Sequence, residues 1–429
     1  MSVPPAEQAF FPLDEELELL PGQLTPSLQE DLVRLGAWMP FARAGQELQH
    51  FRRVDVSRPT VERLTEAAGA AYVALQTAEV ERIEKELPPP PAGPRQQFLS
   101  VDGAMVSLVG GEWAEVKTLV LGEVLPPVEV KGEPVIRTGK HSYFSRLTDS
   151  ETFQRLSLVE TQRRGVETAQ GVGAVTDGSD WIQGFVNFHR PDAVRILDFP
   201  HAGEHLNIVG QTVFGEGSSQ AQSWLADQLH QLKHTGPVSV LAEVRRLVAT
   251  RPDQPDLSKE LAYLEKRAAH IDYPAFQAAG WPIGDGAVES ANKLVVEARL
   301  KGSGMHWARS HIDPMLALRN IVCNDRWEEA WPQLVSTLRQ QEGQRRTERR
   351  HKRQASAISP PVAATPPADP TPAPVTAQGV ARTQRPASKP PRQSIPGEPK
   401  RPAANHPWRR MPIGRARFEP ARKGADAKP

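Results

Sequence analysis

The stretch QFLSVDGAMVSL, residues 97–108, decides the fold, because it is an apolar, β-branched run that carries one carboxylate, Asp102, near its middle. A run of this composition is typical of a buried strand. A second such run, GVGAVTDGSDWI at 171–182, has Asp177 at its end, directly before a glycine. The two runs therefore predict two strands, each of which brings an aspartate into the same domain.

A third carboxylate, Glu289, lies in WPIGDGAVESANKLVVEARLKGSGMHW, residues 281–307, where apolar residues recur at helical spacing. In this helix Asp285 and Ser290 could act as capping residues. Carboxylate oxygens are the ligands that Mg²⁺ prefers. Two ions held about 4 Å apart can activate the oxygen that attacks a phosphodiester and stabilise the oxygen that leaves. Asp102, Asp177 and Glu289 are therefore the predicted metal ligands, with Asp102 expected to bridge two ions.

Composition narrows the functional classes. The 429 residues contain one cysteine, which excludes a disulfide framework and a multi-cysteine zinc site. The sequence has neither an apolar run of membrane-spanning length nor the features of a signal peptide, so we expect a soluble, cytoplasmic protein with no membrane partner. The net charge of +1 conceals an asymmetry, since basic residues concentrate after about residue 343 and the preceding part is acidic.

Residues 1–95 read as a helical region. A short helix, a turn and then a long helix that starts near Ser57 could form a DNA-binding helix-turn-helix, with Arg58, Thr60 and Arg63 facing a groove. An ordinary helical subdomain has the same pattern, so both interpretations stay open.

Residues 96–204 predict the first part of a mixed sheet. Strands are expected at 98–108, 113–124, 134–142, 171–176 and 193–199, and helices at 150–164 and 181–189. Three hairpin strands followed by helix–strand–helix–strand is the order of an RNase H-like core, an α/β fold with a mixed five-stranded sheet. Residues 205–280 predict an all-α insertion, and 281–342 complete the core with the Glu289 helix and two further helices. The Pro-rich, basic segment 343–429 is expected to be a disordered tail that either is solvated or tethers nucleic acid.

The stretches VDGAMVSL, VTDGSDWI, ILDFPHAGEHL and GAVESANKLVVEARLKGSGMHW together resemble bacterial insertion-sequence transposases of the DDE type, within them the Kra group, which is Mutator-like. The likeness extends over about residues 10–340. It implies that Asp102, Asp177 and Glu289 are the catalytic, metal-binding residues. It also matches Asp198 and His201 to a family signature at the end of the fifth strand, where Asp198 is either a rival metal ligand or a residue that orients the ligands.

The resemblance further implies two Mg²⁺ or Mn²⁺ ions and a reaction in which DNA strands are cleaved and transferred. The expected partners are double-stranded DNA, as terminal inverted repeats and as target, and other copies of the chain in a homo-oligomer on DNA at the bacterial nucleoid. Family members often carry a cysteine-bearing zinc segment ahead of FFPLDEELELLPG, and this sequence has no cysteine there. Predicted DNA contacts beyond Glu289 are Asn292, Lys293, Arg299, Lys301 and Trp307, although a solvated helix face and a core tryptophan would also explain these residues.

Two other classes remain open. Residues 201–205 spell His-Ala-Gly-Glu-His, the pattern of an inverted zincin, a zinc metalloprotease in which two helical histidines bind zinc. Pro200 and Gly203 are expected to interrupt the helix that this site needs. A domesticated, non-catalytic DNA-binding protein is the second alternative, and an intact set of three carboxylates argues against it.

Overall fold

The computed structural model describes residues 24–130, 132–251 and 253–358. The stretch FFPLDEELELLPG at 10–22 and residues 359–429 of the predicted tail therefore lie outside the described residues. Three helices come first: Pro26–Trp38, Phe41–Arg52 and Arg58–Glu86. The first begins after Thr25, whose hydroxyl accepts the Leu28 amide N–H at 3.4 Å.

Seven strands follow in two sheets. The strands are β1 Gln96–Ser107, β2 Trp113–Val124, β3 Val128–Val130, β4 Glu133–Val135, β5 Thr138–Arg146, β6 Gly171–Thr176 and β7 Val194–Leu197. Five of them form one mixed sheet in the order β5-β2-β1-β6-β7, and β3 pairs with β4 in a separate hairpin. β2 runs antiparallel to both β1 and β5, whereas β6 runs parallel to both β1 and β7. The expected mixed, five-stranded α/β sheet is thus present.

The structure corrects several predicted bounds. The third strand of the main sheet is β5, four residues later than predicted, because 128–135 form the extra β3–β4 hairpin. The helix expected at 150–164 is two helices, Ser150–Leu156 and Leu158–Arg163. Another helix, Asp180–His189, connects β6 to β7.

The region expected to be an insertion is helical throughout its described elements. Its helices are Phe199–Phe214, Ser219–His234, Pro237–Ala249, Pro255–Lys266 and Tyr273–Ala278, with a 3₁₀ turn at Ala268–His270. The first of them starts directly after β7, six residues before the predicted boundary at 205. Their apolar faces share a core with one face of the sheet, so the insertion is packed against the strands that carry the aspartates.

The C-terminal part returns to the sheet. Helix Gly286–Ala291 continues into a π-helical turn, Asn292–Glu297, and a last turn, Ala298–Leu300. Helices Arg309–Cys323 and Trp327–Ile358 follow. The prediction that order is lost from residue 343 is wrong for 343–358, because these Gln-, Glu- and Arg-rich residues are good helix formers and continue the last helix.

One apolar core joins the N-terminal helices to the C-terminal ones. It includes Leu32 and Leu64 from the first region, Val295 and Val296 from the π turn, and Leu316 from the helix that follows. The boundary at residue 95 stays a prediction, and the helices before it do not have a core of their own. In the described part of the chain, no helix has both the length and the apolar character needed to cross a membrane.

Candidate active site

The strand register brings three aspartates to one level of the sheet. β1 and β6 pair in parallel up to Leu99 and Ala174, and three residues further along each chain come Asp102 and Asp177. β6 and β7 pair up to Thr176 and Leu197, after which Asp177 and Asp198 follow. Because parallel strands keep one register, neighbouring strands deliver Asp102, Asp177 and Asp198 in that order across the sheet. Asp177 is therefore next to Asp102, and Asp198 is one strand further away.

The helix that carries Glu289 packs against β1 and β2, so it crosses the strand that carries Asp102. Glu289 itself is exposed and lies 3.6 Å from Lys293, measured from carboxylate oxygen to Nζ. One turn after Glu289, Asn292 is buried and donates from Nδ2 to Asp102 Oδ2 at 2.8 Å. The structure thus links the Glu289 segment directly to Asp102.

Asn292 is also where the α-helix changes to the wider π turn, a feature often found at functional sites. The buried Arg319 guanidinium donates to the carbonyls of Leu294 and Val295 within that turn. Hydrogen bonds from the following helix therefore stabilise the π turn.

Electrostatics show that carboxylates concentrate here. Burial raises the pKa of Asp102, and the negative charge of Asp177 raises it further. Asp285 is affected more strongly, because burial and the charges of Asp198, Asp102 and Glu289 raise its pKa to about 8. We call the five residues Asp102, Asp177, Asp198, Asp285 and Glu289 the acidic centre.

Asp285 is a member that the sequence analysis did not assign to the site. It occupies the N-cap position of its helix, yet its side chain makes no capping hydrogen bond, so the capping role expected for it is wrong. Instead its amide N–H donates to Asp198 Oδ1 at 2.8 Å. The only sequence signal was its place four residues before Glu289, which an ordinary cap would share.

Asp198 has a clear local role. Its second oxygen, Oδ2, accepts the amide N–H of His201 at 3.0 Å, so Asp198 caps the helix that starts at Phe199. Both carboxylate oxygens are thus engaged by backbone amides. By contrast, the Asp177 carboxylate makes a local contact, in which Oδ1 accepts the Ser179 amide N–H at 2.8 Å. Asp198 therefore braces the chain directly after β7.

Three of the expected DNA contacts, Asn292, Arg299 and Trp307, are buried. Arg299 donates from Nε to the Gly36 carbonyl at 3.0 Å and stacks over Phe41 and Trp307. Trp307 donates its indole N–H to the Leu300 carbonyl at 3.1 Å and is a core tryptophan. The DNA role predicted for Arg299 and Trp307 is corrected, because both side chains are buried and donate to backbone carbonyls of the chain.

The other cations of this segment stay at the surface. Lys293 is exposed beside Glu289, and Lys301 pairs with Glu297 at 2.6 Å. Exposed ion pairs of this kind contribute little to stability, so both ammonium groups can exchange their partners for another anion. Asn292 instead lies inside the acidic centre, where its side chain donates to Asp102.

The three residues proposed for a recognition helix lie on its first turns. Arg58 and Arg63 are exposed and Thr60 is half-buried. The hydroxyl of Thr60 lies 3.0 Å from that of Ser57. Ser57 occupies the N-cap position of the long helix, but its side chain makes no capping hydrogen bond. Arg58 lies 3.9 Å from Glu62, a weak surface pair. The arrangement leaves both arginines accessible.

A second cluster, which we call the Glu–Glu–His group, consists of Glu62, Glu66 and His311. In residues 24–130, 132–251 and 253–358, it is the one set of three or more histidine, cysteine, aspartate or glutamate side chains whose candidate ligand atoms all lie within 4.8 Å of one another. It borders a cavity of about 620 Å³ between two helices. The group could hold a metal ion. Sequence reasoning missed it because His311 is remote along the chain from the two glutamates.

The geometry of the inverted-zincin pattern differs from what the sequence suggested. His201, Glu204 and His205 do lie on one helix, because Pro200 occupies its first turn and Gly203 does not interrupt it. However, His205 Nδ1 lies 2.5 Å from Glu260 Oε2, and its ring stacks on Tyr263. Within the described residues, neither histidine belongs to a three-ligand group of metal-binding spacing.

Comparison with known proteins adds no assignment: no protein-family model matches this chain, and no curated protein matches it either.

Proposed function

We propose that this chain is a DNA transposase of the DDE type, which cleaves DNA strands at the ends of an insertion sequence and transfers them to target DNA. The observation that carries the proposal is the strand register. It sets Asp102 and Asp177 side by side on parallel strands, beneath a helix that carries Glu289. Carboxylates from two neighbouring strands and one crossing helix are the arrangement that the resemblance to these transposases implies.

The order of strands supports an RNase H-like core. Counting only the main sheet, the spatial order is third, second, first, fourth, fifth, and only the second strand runs antiparallel to the rest. This is the arrangement expected from the predicted element order, with the helical region 199–278 inserted before the Glu289 helix. The proposal for the fold and the proposal for the chemistry thus rest on the same strands.

The residues fit two Mg²⁺ or Mn²⁺ ions. Asp102, Asp177 and Glu289 would hold them, and burial together with the negative charge of Asp177 raises the pKa of Asp102. When bound, the ions would activate the attacking oxygen and stabilise the leaving oxygen of the phosphodiester. The side chain of Asn292 orients Asp102, and Asp198 with its partner amides braces the next strand end.

DNA contacts would come from surface cations near the site and from the N-terminal helices. Lys293 lies beside Glu289 and Lys301 beside Glu297, and Arg58, Thr60 and Arg63 lie at the start of the long helix. Because the body of the chain is acidic, these local cations would offset phosphate repulsion. We propose terminal inverted repeats and target DNA as the substrates, bound by a homo-oligomer.

The test uses the full chain with duplexes that carry the DNA flanking its gene, in Mn²⁺. We expect strand cleavage by the wild-type protein and a loss of at least about a thousandfold in Asp102→Asn, because an essential metal ligand supplies several kcal/mol of transition-state stabilisation. A gel-shift assay should show that Asp102→Asn still binds the duplex.

Nicking by Asp102→Asn at the wild-type rate would refute the assignment of the site. A peptidase activity that requires zinc, ignores Mg²⁺ and disappears in His205→Ala would instead support the zinc metalloprotease. Binding without any cleavage, in the wild type as well, would support the non-catalytic DNA-binding protein.

A further inference from the structure

Two side chains from the helical insertion hold the backbone at Asp177. Tyr263, on helix Pro255–Lys266, donates its hydroxyl to the Asp177 carbonyl at 2.6 Å. Arg267, which follows that helix, donates from Nη2 and Nε to the Gly178 carbonyl at 2.6 and 3.3 Å. Two successive carbonyls at the end of β6 are therefore fixed by one element of the insertion.

The two side chains are themselves held in place. The Arg267 guanidinium is buried and lies 3.6 Å from the centre of the Tyr263 ring. The His205 ring stacks on Tyr263 with centroids 3.7 Å apart, and Glu260 anchors His205 through Nδ1. A stacked and hydrogen-bonded set of this kind has little rotational freedom, so it holds the carbonyls of Asp177 and Gly178 in fixed positions.

The turn after Asp177 is shaped around Arg267. Gly178 has φ of +76°, a left-handed conformation that favours glycine, and a Cβ there would lie 2.6 Å from Arg267 Nε. In the same turn the Ser179 amide N–H donates to Asp177 Oδ1 at 2.8 Å. The backbone that Tyr263 and Arg267 fix is therefore the backbone that sets the direction of the Asp177 carboxylate.

We propose that Tyr263 and Arg267 are positioning residues for Asp177, through which the helical insertion sets the affinity of the active site for its divalent cation. This inference rests on the proposed function, because it needs Asp177 to be a metal ligand. Neither side chain touches the reacting atoms. Their loss should raise the metal concentration needed for half-maximal activity and leave the rate at saturating metal nearly unchanged.

A matched control lies at the neighbouring strand end. Tyr273 is a fully buried tyrosine whose hydroxyl donates to the Leu197 carbonyl at 3.0 Å, directly before Asp198. Tyr273→Phe thus removes the same type of bond from the strand that carries the rival ligand. Comparison of Tyr263→Phe with Tyr273→Phe asks which strand end the metal depends on.

The experiment measures strand cleavage by full-length protein against Mn²⁺ concentration. It is paired with direct Mn²⁺ binding, read from the electron paramagnetic resonance signal of the free ion. For Tyr263→Phe we expect about a tenfold higher Mn²⁺ requirement and about tenfold weaker binding, as is typical when a residue that orients a metal ligand is lost. The rate at saturating Mn²⁺ should stay within about twofold. Arg267→Lys, which keeps a cationic donor, should show a smaller shift than Arg267→Gln.

The inference is overturned if Tyr263→Phe and Arg267→Gln bind Mn²⁺ as the wild type does, or if Tyr273→Phe shows the larger shift. A thermal midpoint within about 3 °C of wild type shows that a variant is folded. If the wild-type chain binds Mn²⁺ but cleaves no DNA, the proposed function fails, and the binding arm alone then decides the positioning role. Wild-type protein without Mn²⁺ binding at millimolar concentrations would refute both.

Discussion

The acidic centre and the Glu–Glu–His group bring carboxylates together in different ways. In the Glu–Glu–His group, His311 Nδ1 lies 2.8 Å from Glu66 Oε1, so an imidazole is present to offset the charge, and the three ligand atoms are close. The acidic centre has five carboxylates, whose partners are the Asn292 amide, backbone N–H groups and, at the exposed Glu289, Lys293. Within the described residues its members do not meet the same spacing. Short distances between ligand atoms therefore favour the Glu–Glu–His group, in which one histidine accompanies two glutamates, over the acidic centre, which has more carboxylates.

The difference shows that short distances between carboxylates are a poor criterion for a site that depends on a cation. Like charges that share a half-buried space raise one another's pKa and stay apart, whereas a carboxylate with a cationic partner can approach it closely. For the acidic centre, the raised pKa values of Asp102 and Asp285 are thus more informative than short distances. For the Glu–Glu–His group, the contact with His311 accounts for the position of Glu66.

The largest expected effect separates the two groups by activity. Glu289→Gln should lower strand cleavage by at least about a thousandfold, because it removes a proposed metal ligand. Glu66→Gln, a matched change of a glutamate that contacts His311, should leave cleavage within about threefold. Single-turnover cleavage of duplexes that carry the flanking DNA, at saturating Mn²⁺, measures both.

A reversed result would break the comparison. If Glu66→Gln removed cleavage and Glu289→Gln did not, the Glu–Glu–His group would hold the essential ion, and the acidic centre would be structural.

A smaller effect concerns stability and joins the two regions. Leu32 is fully buried in the core that also contains Val295 of the π turn and Leu64 of the helix that carries Glu66. Leu32→Ala should lower the free energy of unfolding by about 2–5 kcal/mol, the usual cost of a large-to-small change in a core. Because the core is shared, the loss should appear in a single unfolding transition in calorimetry.

Leu35, partly buried at the edge of the same core, offers a matched control in which Leu→Ala should cost less. Two separate transitions, of which only one shifts in Leu32→Ala, would show that residues 1–95 fold as an independent domain.

The comparison also shows what sequence could predict. β2 and β6 have the bounds that their apolar runs predicted, since a buried strand is encoded locally. The β3–β4 hairpin was missed because three-residue strands carry little pattern. The helix over 343–358 was missed because its residues form a helix without an apolar face.

Site residues were predictable only where the signal was local or resembled a known family. Asp102, Asp177 and Glu289 were proposed as site residues from the sequences around them, and their catalytic role stays a prediction. Asp285, the Glu–Glu–His group and the Tyr263–Arg267 support depend on contacts between distant segments, which no local pattern encodes. The burial of Arg299 also depends on distant segments, since it contacts Gly36 and Phe41 of the N-terminal helices.

The smallest expected effect is a pH dependence of stability that distinguishes the two groups. Asp285 has its pKa raised from an ordinary 3.8 to about 8 by burial and by its carboxylate neighbours, so folding disfavours its ionised form. Its favourable contribution is complete below about pH 4, where both folded and unfolded chains are protonated, and is lost as the pH rises through about 8. The slope of the unfolding free energy from this group cannot exceed about 1.4 kcal/mol per pH unit. Asp285→Asn should therefore flatten the decline of the thermal midpoint between pH 5 and pH 8, measured in the presence of a chelator.

Glu66 provides the comparison for this measurement. Burial raises its pKa as well, but the charge of His311 acts in the opposite direction. Glu66→Gln should thus change the slope less than Asp285→Asn does. Equal slopes for Asp285→Asn and wild type would mean that the acidic centre carries no unbalanced charge. The electrostatic argument for a cation at Asp102, Asp177 and Glu289 would then lose its basis, while the strand register would still set the two aspartates side by side.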